Sequence, residues 1–105
     1  MNDRELLELA AKAAGIECHI DHLDGTPKLV ANDYGAVWNP LVSDAHAFQL
    51  AVKLRMCVSV EHDAQATYWA GDSLEAFNES LGNDECLAMR RAIVRAAAEI
   101  GRTMP

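Results

Sequence analysis

The residues of this chain best suited to chemistry are aromatic and cationic side chains placed for recognition. Trp38 stands before Asn39 and Pro40 at a turn. An indole there can stack on a nucleobase, and an Asn carboxamide can read a base edge with both donor and acceptor. Tyr68 and Trp69 are neighbours in a stretch that reads as a strand, so one faces the core and the other leaves it. Arg91 and Arg95 lie one helical turn apart and can grip a phosphate or carboxylate in fork geometry. Trp38, Asn39, Trp69, Arg91 and Arg95 are therefore the candidate ligand-binding residues. Each also has a structural reading, since a Trp before a helix often covers a core and arginines pair with acids such as Glu99.

Other chemistries find less in the sequence. His19, Asp21 and His22 resemble metal ligands, but in a strand His22 points away from the other two, and a third ligand would have to come from His46 or His62. No Ser or Cys occupies a nucleophile elbow and no glycine-rich phosphate loop is present, so neither enzymatic activity nor a cofactor is expected. Cys18, Cys57 and Cys86 are widely spaced within apolar patterns and read as reduced core residues.

A chain of 105 residues, half of them hydrophobic, makes one domain with a real core. The net charge of −7 is unevenly placed: residues 1 to 83 sum to −8 and the remainder to +1. No Lys or Arg occurs between Met56 and Met89, a stretch that carries seven acids, which argues against direct binding to a nucleic-acid backbone. The sequence has no membrane-spanning apolar run and no signal-peptide pattern at its start, so a soluble cytoplasmic protein is expected.

The most apolar helical stretch follows the Trp38 corner, and the rest of the chain reads as built around it. Pro40 biases Asn39 away from helix, Ser43 supplies an N-cap, and Asp44 meets the positive end of the helix dipole. Ala45, Ala47, Phe48, Leu50, Ala51, Val52 and Leu54 form too wide an apolar set for one stripe, so cover on more than one side is expected. Before this helix, Asn2 caps a first one that Gly15 ends. Residues 16–21 and 28–31 read as a hairpin across the turn D-G-T-P, and a second turn, N-D-Y-G at 32–35, leads to Trp38. After it, residues 56–61 and 65–70 read as a second hairpin.

Residues 73–82 fit either helix-like spacing or a packed loop. The last helix is capped by Asn83 or Asp84, carries a stripe from Cys86 to Ile100, and is closed by Gly101. The order is α-β-β-α-β-β-α, an α+β fold with a mainly antiparallel sheet packed against helices. The apolar girth of the second helix, or the small-residue face of Ala92, Ala96, Ala97 and Ala98, favours a homo-oligomer.

W-N-P-L at Trp38, then S-D and A-x-x-L-A-V-K-L (Ala47 to Leu54), together with R-R-A-I-V-R-A-A-A-E-I-G from Arg90 to Gly101, resemble a group of small proteins of unknown function from tailed bacteriophages and prophages. The element order is similar to the phage ABA sandwich domain. The motifs cover under a third of the chain and none is catalytic. The resemblance implies a phage accessory protein in the host cytoplasm that counteracts host defence. Three readings follow: an oligomer sequestering a small anionic ligand such as a nucleotide immune signal, an acidic inhibitor that docks on a host defence protein or imitates nucleic acid, and a structural or regulatory protein with no pocket.

Overall fold

The computed structural model describes residues 1–22, 28–32 and 36–105, so the turn read at 24–27 and most of the one at 32–35, with Tyr34, lie outside the described residues. The order is α1 (Asp3–Ala14), β1 (Cys18–Asp21), β2 (Lys28–Ala31), β3 (Ala36–Val37), α2 (Asp44–Lys53), β4 (Cys57–Val60), β5 (Asp63–Ala70), β6 (Ser73–Ser80) and α3 (Glu85–Thr103). The fold is α+β, with two antiparallel three-stranded sheets, β1-β2-β3 and β4-β5-β6, packed against helices.

Local chemistry sets the helix ends. Asn2 is extended and its carboxamide oxygen accepts from the Glu5 amide at 2.8 Å. Ser43 Oγ accepts from the His46 amide at 3.2 Å, and Asp84 from the Leu87 amide at 2.9 Å. Each satisfies an amide that the first helical turn leaves without a carbonyl. Gly15 closes α1 at φ +71°, a left-handed position that costs glycine nothing.

Two short stretches differ from their sequence reading. Ala36–Val37 pairs with β2 as a third strand of the first sheet. Residues 73–82, read as helix or loop, supply β6, which pairs with β5 along its whole length from Ala70↔Ser73 to Asp63↔Ser80. The helix-like spacing of Leu74, Phe77 and Leu81 is overridden because β5 offers a full ladder and Gly71, at φ +63°, allows the tight return.

The organising element is α3 and not the stretch around α2. α3 packs on α1, on β5 and β6, and on α2. Ala92, Val94, Ala96 and Ala97 are fully buried, and a Cβ at Gly101 would lie 2.0 Å from the backbone oxygen of Leu9. Gly101 thus belongs to the helix and permits close approach of α1; it does not end α3. The alanine face expected to meet a second copy is covered by the protein's own core. α2 is covered on one side only, by way of Ala47, Leu50 and Ala51, while Phe48 is 69 % exposed.

Three arginines extend α3's reach. Arg90 donates to the Leu41 carbonyl at 2.8 Å and to Asp44 at 2.6 Å, Arg91 to Asp3, and Arg95 to Glu79 and the Asn78 carbonyl. Each side chain ties the helix to a different element. No helix among the described residues is long and apolar enough to cross a membrane.

Candidate functional site

A groove of about 480 Å³ opens between the first turns of α1 and the first sheet. Its apolar lining comes from Leu7 on α1, Ile20 and Leu29 on facing strands, and Val37 and Val42 at the sides. The helix period brings Leu7 inward with Asp3 and Arg4 at the rim, while the antiparallel register sets Ile20 opposite Leu29 and Asp21 opposite Lys28. The polar lining is Asp3, Arg4, Lys28 and Asn39, two cations to one carboxylate in a chain that is acidic overall. Arg91 donates to Asp3 through both terminal nitrogens at 3.3 Å, which offsets that carboxylate's charge. Arg4 contacts Glu8 at 3.2 Å in an exposed pair, a weak interaction that a ligand anion could displace.

The structure separates the five residues picked out in the sequence. Asn39 lines the groove, and Arg91 reaches its rim through Asp3. The Asn39 amide donates to His46 Nδ1 at 3.0 Å, and its side-chain oxygen accepts from the Leu41 amide at 3.0 Å, so the residue is held rigidly in the turn before α2. Trp38 is 2 % exposed and its amide donates to the Leu29 carbonyl at 2.8 Å. Its ring belongs to the core and offers no face for stacking.

Trp69 and Arg95 sit with the second sheet. Tyr68 turns inward and Trp69 outward, 70 % exposed, opposite Leu74 on the neighbouring strand. Arg95 lies 5.6 Å over the Phe77 ring while bonding Glu79, so its charge is already matched. Arg4, Lys28 and the floor residues were not legible as a site, because nothing in their spacing links the first helical turn to a strand more than twenty residues later.

A second hollow of about 460 Å³ has the opposite electrostatics, with Tyr68, Trp69, Glu75 and Glu99 in its lining. Burial, reinforced by Glu99 and Glu75, pushes the Tyr68 phenol above its ordinary value. Hydrogen bonding from Arg102 holds the Glu99 carboxyl below its own. This hollow does not suit an anion.

Cys18 is half-buried, and burial raises its thiol pKa. Cys57 and Cys86 are exposed, contrary to the core role read for them: Cys57 lies on an edge strand and Cys86 in the first turn of α3. His19 Nδ1 shares a hydrogen bond with the Asn32 side chain. Among the described residues no group of three or more His, Cys, Asp or Glu is placed to hold a metal ion. The chain matches no protein-family model, no curated protein and no solved structure.

Proposed function

We propose that this protein acts by stoichiometric binding without catalysis, and that the groove between α1 and the first sheet captures a small anionic ligand with an apolar or aromatic body. The observation that carries this reading is the groove's lining, an apolar floor bordered by Arg4, Lys28 and Asn39, with the one carboxylate there, Asp3, already bonded by Arg91. Such a site buries a flat apolar body while charge-assisted hydrogen bonds fix the anionic end. The resemblance carried by residues 38–54 and 90–101 gives the reading its setting: a phage accessory protein in the host cytoplasm that sequesters a nucleotide immune signal. A base would pack against Leu29, Val37 and Val42, and its phosphates would meet Arg4 and Lys28.

Native mass spectrometry of protein purified from bacterial cells, run gently and after denaturation and repeated with added cyclic nucleotides, tests this. A retained nucleotide-sized mass is expected, with affinity falling about tenfold or more in Arg4→Ala and Lys28→Ala. Trp69→Ala should bind as the native chain does. Absence of any bound mass with every nucleotide tried overturns the reading.

A second reading is favoured by one observation. Trp69 and Leu74 are exposed side by side, and Asp72 and Glu75 beside them are exposed carboxylates. An exposed indole within an acidic surround suits docking on a basic host defence protein. Salt-sensitive capture of such a protein, lost in Trp69→Ala and in Glu75→Lys, would support it.

A further inference from the structure

Each sheet has two edges, and three of the four are protected against pairing with another chain. β1 carries Asp21, β3 is two residues long, and β6 carries Glu75 and Glu79. Short or charged strands are ordinary means of keeping an edge from pairing. β4 carries no charge: it is Cys57-Val58-Ser59-Val60, bonded to β5 on one side only, with every residue exposed. Beside it Phe48, Val58, Ala51 and Met89 border an apolar hollow of about 260 Å³. Val52, 60 % exposed, extends the apolar surface along α2.

We propose that the β4 edge is the interface for a second copy of this chain, joining the two second sheets into one six-stranded antiparallel sheet about a two-fold axis at Val58. Charge complementarity selects the occupant and the register. The strand is flanked by Arg55 and Glu61, both exposed and neither with an ion-pair partner among the described residues. With Val58 opposite Val58 of the second copy, Arg55 falls opposite Glu61 of the second copy, and symmetry repeats the pair. Arg55 and Glu61 lie just outside the strand, in the turns at its two ends, so each charge meets its opposite from beside the sheet. Met56, Val58 and Val60 lie on the inner face, where those of the second copy meet Phe48 and Val52.

The backbone at Arg55 gives independent support. Arg55 closes α2 at φ +56°, with its amide bonded to the Val52 carbonyl and the Met56 amide to that of Ala51. Glycine is the residue this left-handed closing position favours. An arginine held there despite its Cβ fits a side chain needed for its charge.

Sedimentation equilibrium of the native chain and three variants tests the interface, with circular dichroism checking that each variant is folded. The native chain should be dimeric. Arg55→Glu and Glu61→Arg should each weaken the dimer about tenfold, and the double variant should restore it. A native chain that stays monomeric overturns the proposal. So does a dimer that neither reversal weakens, or one that the double variant fails to restore.

Discussion

The two sheets are both antiparallel meanders, yet the first has strands of four, four and two residues and the second of four, eight and eight. Against the second sheet α3 lies along β5 and β6, and the strand beneath it presents Ala64 and Ala66 before Tyr68. Against the first sheet, α1 meets β2 over the larger side chains Leu7 and Leu29. Small residues let a helix settle closely onto its support; branched ones hold it away and leave a groove. One topology thus yields a platform on one side and a recess on the other. Charge follows the same division, with Arg4 and Lys28 at the recess and Glu75 and Glu99 at the platform's hollow.

The two tryptophans give the strongest way to break this comparison. Trp38→Ala should cost about 3–5 kcal/mol in urea unfolding, because a buried indole leaves a large void. Trp69→Ala should stay within about 0.5 kcal/mol of the native chain. Acrylamide should quench the remaining fluorescence of Trp38→Phe readily and that of Trp69→Phe poorly. Equal quenching would remove the distinction between a covered and an open side.

Next in size is Gly101→Ala. The added methyl meets the Leu9 carbonyl, so α1 must move off α3. Against a helix-propensity gain of nearly 1 kcal/mol, a net loss of about 2 kcal/mol, or about 10 °C in Tm, is expected from thermal circular dichroism. An unchanged Tm would mean the two helices are not in register at that point. Arg95→Met, which removes the ion pair with Glu79 and the cation above Phe77, should cost about 1 kcal/mol by the same measurement.

The smallest effects are pH-dependent and come from Glu99 and Tyr68 on the platform side. Glu99 is depressed below its ordinary 4.5 by Arg102, so its contribution is present above that value and lost as pH falls through the folded one. Glu99→Gln should flatten the acid limb of the Tm profile. Tyr68 is raised above its ordinary 10.0, so its neutral phenol favours the folded state below that pH and the contribution disappears as pH rises through the folded value. In an ultraviolet titration, Tyr68→Phe should remove a phenol transition that lies above the ordinary 10.0.

What was legible in the sequence was local. Asn2, Gly15, Ser43 and Asp84 mark helix ends because capping needs only a few neighbouring residues. Ser73–Ser80 was not legible as a strand, since β5 decides its conformation from outside the segment. Gly101 reads as a terminator beside Pro105, whereas its reason is Leu9 at the other end of the chain. The same distance hid the partner of the α3 alanines, which meet α1 and sheet within one copy. At the groove, Asn39 stood out through its Pro-flanked turn, while Arg4 and Lys28 look like ordinary surface charges until the fold brings both into the lining of one groove.

The central position of α3 has a consequence for synthesis. It follows every other element in the chain, so α1 and both sheets leave the ribosome before the helix that covers them. Until Glu85–Thr103 has emerged, Leu6, Leu7 and the apolar faces of β2 and β5 have no lasting shelter. Joining the first helix to the last also closes a loop almost the length of the chain, a pairing that slows folding more than neighbouring contacts do. The core is therefore completed only once the last helix can pack on the first.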